Sequence, residues 1–459
     1  MQRHLFPPST TPSPSPDPTA AAPSTDAPAS GGPAPRVSRA NRSAVRLEVV
    51  SLDARLPADH IARVVVAFVA KVDLSRLYAK IRSVEGGAGR PAVDPQILLS
   101  LWLYATLDGV GSAREIARLT EAHDAYRWIC GGVGVNYHLL SDFRADSGDT
   151  FDALLTTSVA SLLANGLVTM QRVAQDGMRV RAWAGAGSFR RRDTVERCVE
   201  AAKEQVARLR QEVEADPSGM SRREQANAQR AAAERARRLE SALAEMPKIE
   251  AAQARRKARS KRKKERAAAA REPRVSTTDP ESRVMKMANG GFRPAFNVQF
   301  ATDTATQVVV GVEVDNRGSD VGQLVPMLDQ LQRRYGRMPA EALVDGGYGK
   351  LEAVEQVPDG CTVYTPLPPA RDATRDPHAP LPGDSPKIAA WRARMGTEPA
   401  KAIYRERAAV AECVNAQARN RGLRQFRTCG QARARATALL YALAHNVMRV
   451  HTLAREAKA

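Results

Sequence analysis

At 459 residues the chain is longer than a single hydrophobic core usually serves, so two or three domains are expected. Its 69 Lys and Arg against 50 Asp and Glu leave a net charge of +19. With a pI near 10.1, this points to a polyanionic partner; basicity for solubility alone is the plainer alternative. The five cysteines, Cys130, Cys198, Cys361, Cys413 and Cys429, form no CxxC or Cys/His cluster, which argues against a zinc site or a disulfide framework. No apolar run approaches the roughly 18 residues of a membrane span, and the N-terminus lacks an apolar signal core. A cytoplasmic, nucleoid-associated protein with no membrane contact is expected.

Residues 7–35 are dominated by Pro, Ser, Thr, Ala and Gly, a composition that cannot offset the entropy of ordering, so residues 1–44 are expected to form a disordered tail. From Pro57 to about Asn165 apolar residues recur at three- and four-residue spacing, predicting helices over Asp59–Lys71, Pro95–Leu107, Ala113–Ala122 and Phe151–Ala164. Asp94-Pro95 and Ser112 are expected helix starts. The period then shortens. Val173–Ala182, Ala295–Ala301, Val308–Val314, Ala342–Val344 and Cys361–Thr365 are expected strands, with Phe296–Phe300 and Gln307–Val314 as a hairpin and Val321–Tyr335 as an amphipathic helix. Strands interleaved with helices in this order imply an α/β domain with a mixed sheet.

Arg190–Arg274 interrupts that domain. It holds 25 Lys and Arg against 14 Asp and Glu, a net of +11. With only Pro217, Gly219, Pro247 and Pro273 as breakers, it is expected to form two long coiled-coil-like helices and a basic tail. Lys261, Arg262, Lys263 and Lys264 lie in its most basic run and are candidates for phosphate contact, against the plainer reading of a solvated face.

Three acidic residues sit in contexts suited to phosphodiester chemistry. Asp176 and Asp345 each follow an apolar run and precede glycine, and Glu412 lies within Ile403–Gly422, which has no Gly or Pro before its last residue and reads as one helix. Two aspartates at strand ends and a glutamate from a helix can hold two divalent metals, roughly 3.5–4 Å apart, that activate water and stabilise the leaving oxygen. The plainer readings are Asp-Gly turns and a helix-surface carboxylate. On a regular helix Glu412 has Ala408, Ala409, Asn415 and Ala416 as one-turn neighbours, none of them basic. Arg405 and Arg419, seven positions to either side, would be the charges on its stripe. Asp303 and Asp315 flank strands without a following glycine and read as turn residues, Asp315 being the reserve for metal contact. His138 and His445 read as packing histidines. No GxxxxGK[ST] motif is present, so ATP-driven chemistry is not supported.

Five blocks carry a family resemblance: Gln175–Ala182, Asp279–Lys286, Gly290–Gln299, Val344–Tyr348, and Tyr404–Arg407 continuing through Ala411–Arg419. In this order they resemble bacterial insertion-sequence transposases of the DDE type, over roughly residues 45–451. The resemblance implies a ribonuclease-H-like catalytic core with Asp176, Asp345 and Glu412 as the catalytic, metal-binding triad for two Mg²⁺ or Mn²⁺ ions. The last block is similar to the Tyr–Arg–Glu–Lys signature of one branch, which implies that Tyr404, Arg405, Arg407 and Arg419 contact DNA. It departs from that signature in two ways. Four residues rather than three separate Arg407 from Glu412, and Arg419 stands where Lys is usual; Arg still supplies a phosphate-binding cation. The helical region, notably Asp94-Pro95 and His138–Arg144, is similar to that family's N-terminal domain, with Gly111–Tyr126 as a helix-turn-helix-like piece or simply a packed helix pair.

The expected organisation is a disordered tail (1–44), a helical DNA-binding domain (45–165), a first part of the catalytic domain (166–189), the basic insertion (190–274) and a second catalytic part (275–451). The expected function is transposition, with cleavage at the element ends and strand transfer into target double-stranded DNA by a homodimer. A DNA-binding regulator that keeps the fold without the chemistry is the alternative.

Overall fold

The computed structural model describes residues 49, 51–83, 90–215, 221–259, 272–368 and 375–457. The expected tail and the basic run Lys261–Lys264 lie outside the described residues. Among the described residues seven helices come first: α1 (Ile61–Val69), α2 (Ser75–Tyr78), α3 (Pro95–Leu107), α4 (Ala113–Ala122), α5 (Asp124–Cys130), α6 (Tyr137–Asp146) and α7 (Gly148–Ala164). Two start where the capping residues place them. The Asp94 side chain accepts from the Gln96 amide with Pro95 next in line, and the Ser112 side chain accepts from the Glu115 amide. Almost every residue of α3 is buried, making it the central helix of this region.

The sheet comprises β1 (Arg172–Arg181), β4 (Arg283–Lys286), β5 (Phe292–Asp303), β6 (Val309–Asp315), β7 (Glu341–Leu343) and β8 (Thr362–Tyr364). β5 runs antiparallel to β1 along its length, and its other edge is shared by β4, which pairs Phe292–Ala295, and β6, which pairs Asn297–Thr302. β7 joins the far side of β1 in parallel, and β8 joins β7 in parallel. The mixed sheet and the hairpin stand where alternation in the sequence places them; β4 is a strand the sequence reading did not anticipate.

Between β1 and β4 rise two long helices, α8 (Arg192–Ala215) and α9 (Arg222–Arg259), above a short ribbon of β2 (Phe189–Arg190) and β3 (Val275–Ser276). They run antiparallel, with Arg192 bonded to Glu250 and Arg235 to Gln205, around an apolar cluster of Val195, Val199, Ala202, Leu239, Ala242, Met246 and Val275. Pro247, expected as a breaker, lies inside α9.

Helices α10 (Leu324–Tyr335), α11 (Leu351–Glu355), α12 (Pro386–Met395), α13 (Glu398–Arg407), α14 (Cys413–Asn420) and α15 (Gln431–Glu456) complete the described elements. α15 packs against α3, α7 and β6. The Asn446 side chain bonds both the amide and the carbonyl of Val309. One continuous hydrophobic core therefore runs from the first helices through α15 to the sheet, joining Trp102, Phe151 and Leu439 to Val298, Phe300 and Val312. His445 is a packing histidine, its ring meeting the Gln307 carbonyl and burial pulling its pKa down to about 4.

Candidate active site

Asp176 stands in the middle of β1, not at its end. The parallel pairing with β7 stops at Ala174 opposite Leu343, so Asp176 lies just past the end of β7 on that flank. Asp345 stands two residues after β7, and its Oδ1 accepts from the Gly347 amide at 2.7 Å. Both aspartates thus open on the same notch in the sheet. The notch is filled by the end of α13 and the helical turns that succeed it.

Ile403–Gly422 is not one regular helix. α13 ends at Arg407, Ala408–Glu412 forms a π-helical turn, and α14 begins at Cys413. A π turn accommodates one extra residue in a helix. The extra residue is the fourth between Arg407 and Glu412. On an uninterrupted α-helix these two positions would stand about 140° apart; the π turn brings them to one side. Glu412 consequently has the basic neighbour that regular helical spacing denied it, with Arg407 Nη1 3.4 Å from its Oε1. The expected stripe of Arg405, Glu412 and Arg419 is corrected for the same reason, because the added residue rotates Arg405 off the face of Glu412.

Arg407 is the hub. Its Nη2 lies 3.3 Å from Asp176 Oδ1 and 3.9 Å from Asp345 Oδ2. One guanidinium therefore touches all three predicted carboxylates. The side chains become more exposed from Asp176 (16%) through Asp345 (39%) to Glu412 (62%), while Arg407 is 11% exposed. Burial raises the Asp176 pKa; Arg407 and the Gly177 and Asn415 hydrogen bonds oppose this, and Asp345 adds to it. For Arg407 burial disfavours the charge, but Asp176, Tyr404, Asp345 and Glu412 outweigh it and hold the guanidinium above its usual value.

Other residues set the aspartates in place. Asp176 Oδ1 accepts from the Gly177 amide, and its Oδ2 accepts from Asn415 Nδ2 at 2.9 Å. Beneath the notch, on the opposite face of β1, lies a buried polar network. Asp320 accepts from Asn297 Nδ2 and Gln299 Nε2, both at 2.8 Å, and from Arg179 Nη2 at 2.6 Å. Gln175 Nε2 donates to Gln299 Oε1, as does the Tyr348 hydroxyl. Tyr348 thereby anchors the turn that carries Asp345. Sequence reading missed Asn415 and Asp320 as positioning groups. Polar residues at Gln175, Asn297 and Gln299 within otherwise apolar strands were the available signal.

Tyr404 is half-buried one turn before Arg407, whereas Arg405 and Arg419 are exposed. Asp315 is held by Arg317 and Gln323 at the end of β6, two strands away from β1 and apart from the trio. The carboxylates offer the hard oxygen ligands and the negative charge that a divalent cation requires, and a cationic group already stands among them. Even so, among the described residues no three His, Cys, Asp or Glu side chains are placed to hold a metal ion together.

Two family models match the chain. A transposase domain (DUF772) covers residues 50–146, which spans α1 to α6. A transposase DDE domain covers residues 384–451, which includes Tyr404, Arg407, Glu412 and Arg419. No curated protein and no solved structure matches. Among the described residues no helix is long and apolar enough to cross a membrane. Both matches are to transposase domains, one over the helical region and one around Glu412, and the DDE domain is that of a catalytic family.

Proposed function

We propose that this transposase cuts phosphodiester bonds at the ends of its element and joins the freed 3′-hydroxyl to target DNA, with Asp176, Asp345 and Glu412 holding two Mg²⁺ or Mn²⁺ ions. The observation that carries the reading is the gathering of these three carboxylates, from β1, the end of β7 and the π turn, on one guanidinium. The strand order supports a ribonuclease-H-like core: antiparallel β6, β5 and β1 continue into parallel β7 and β8, with Asp176 on β1 and Asp345 just past the end of the neighbouring β7.

Bound divalent cations would lower the pKa of the attacking water or hydroxyl and neutralise charge on the leaving oxygen. The chain's own contribution is position. Asp176 is fixed by two hydrogen bonds in a half-buried strand, Asp345 by the Tyr348 anchor, and Glu412, the most exposed of the three, faces the side from which DNA arrives. Arg405 and Arg419 are exposed cations on the same helical layer, suited to phosphate oxygens. A second surface is a cleft beside α9 where Arg255, Arg256 and Arg274 join Arg191, Lys248 and Arg317, the last three paired with Glu272, Glu245 and Asp315; its excess of cations suits the backbone of a duplex. End recognition is assigned to the helical region near Gly111–Arg144, and two copies of the chain would hold the two ends.

The test is nicking of element-end duplex by the wild-type chain and by Asp176→Asn and Glu412→Gln. Both amides keep shape but lose charge, so cleavage should disappear while duplex binding stays within about twofold, a difference under roughly 0.5 kcal/mol. Metal-dependent cutting by either variant at the wild-type rate refutes the assignment of the triad. Absence of cutting by the wild-type chain with Mg²⁺ and Mn²⁺ returns the protein to a DNA-binding regulator.

A further inference from the structure

We propose that Arg407 is the resident counter-ion of Asp176, Asp345 and Glu412, and that divalent cations enter only as its guanidinium withdraws from the three carboxylates. This rests on the reading that Asp176, Asp345 and Glu412 hold the metal.

Three carboxylates facing one notch repel one another, and the repulsion is strongest at Asp176, the most buried of them. Some cation must stand there before metal does. Arg407 fills that place from inside the chain, reaching each carboxylate with one of its two terminal nitrogens. Its terminal nitrogens stand 3.3–3.9 Å from the carboxylate oxygens, in the space between carboxylates where a divalent ion would have to sit.

The occupant is loosely held. None of the three contacts has the roughly 2.7–2.9 Å length of a bidentate guanidinium–carboxylate pair, and Arg407 Nε is buried without a hydrogen-bond partner. Arg407 also sits at the junction of α13 and the π turn, where helix geometry changes. Once displaced, the guanidinium is free to take a phosphate of the DNA backbone. Arrival of DNA and arrival of metal would then reinforce each other, because both favour the arginine outside the carboxylates.

The experiment uses the full chain without DNA. Mn²⁺ binding is titrated by the electron paramagnetic resonance signal of the free ion for wild type, Arg407→Gln and Asp176→Asn, with circular dichroism as the check on folding. Arg407→Gln should bind Mn²⁺ roughly tenfold or more tightly than wild type, since the binding-competent state no longer competes with the arginine. Asp176→Asn should bind more weakly. In parallel, labelling of Arg407 by phenylglyoxal in the wild-type chain, read by peptide mass spectrometry, should accelerate when Mg²⁺ is added. If Arg407→Gln does not fold, the wild-type labelling decides by itself. Mn²⁺ binding that depends on Asp176 but is unchanged or weaker in Arg407→Gln, or labelling that Mg²⁺ does not accelerate, overturns the role of Arg407 and leaves the metal reading standing. Mn²⁺ binding that Asp176→Asn does not diminish overturns the metal reading, and this proposal with it.

Discussion

Gly177 comes directly after the first aspartate, and the structure assigns it a specific burden. A Cβ at this position would stand 2.2 Å from Asp320 Oδ1 and 2.3 Å from Gln299 Nε2. Asp320 is 7% exposed and Gln299 is fully buried, so neither can step aside into solvent. In Gly177→Ala the Asp320 carboxylate must retreat by roughly 1 Å, which breaks its 2.8 Å bonds from Asn297 and Gln299. Hydrogen bonds to a charged acceptor contribute about 1.5–3 kcal/mol each. Allowing for partial relaxation, and for retention of the Arg179 pair, the expected loss is about 2–4 kcal/mol. The assay is urea denaturation monitored by tryptophan fluorescence, with the single variants Gly177→Ala and Asp320→Ala and the double variant. If the clash with the carboxylate is a cause, the double variant loses less than the sum of the two single variants, because Asp320→Ala removes the 2.2 Å contact and leaves that with Gln299. Cleavage should fall as well, since Gln299 also receives the Tyr348 hydroxyl that anchors the Asp345 turn. A Gly177→Ala protein within about 0.5 kcal/mol of wild type, the usual range of an innocuous surface change, or strict additivity in the double variant, refutes the reasoning.

Two further outcomes are expected. Asp279 is completely buried, with one oxygen accepting from the Gly430 amide and the other unpartnered, and burial pushes its pKa up to about 6 from 3.8. Between these values the unfolded chain has released the proton and the folded chain still holds it, so stability falls as pH rises from about 4 to 6, by about 3 kcal/mol across that window. Asp279→Asn should remove that slope, and denaturation curves that stay parallel to wild type across the window contradict it. Deleting Arg190–Arg274 with a short linker should leave a folded protein, because α8 and α9 pack mainly on each other, with Val275 of β3 joining their apolar cluster, so that the sheet loses that contact and the Glu245–Arg283 ion pair but not its own core. Loss of cooperative thermal unfolding, monitored by circular dichroism, would place the segment within the core.

Much of this architecture is written in local pattern. Apolar spacing and the caps at Asp94 and Ser112 locate α3 and α4, since those signals depend on neighbours within a turn or two. Alternation and β-branched runs locate β1, β5, β6, β7 and β8, and the run of Ala, Arg and Glu locates α8 and α9. The short strand β4 was not legible, because its four residues carry no alternation of their own and gain their pairing only along the edge of β5.

The sequence by itself determined which residues carry the negative charge, that the chain is strongly basic, and that Arg407 and Glu412 stand one residue further apart than the family signature expects. It did not determine what Glu412 faces. Helical spacing alone put Arg405 on its stripe and Arg407 on another side, and the outcome turned on a π turn whose Val410 and Ala411 are buried in one apolar cluster with Ala174 and Leu343. The same holds for Asp176 and Asn415, 239 positions apart, and for Gly177 and Asp320, which meet across two strands. Contacts of that kind depend on which surfaces the whole core brings together, and no local rule of spacing contains that information.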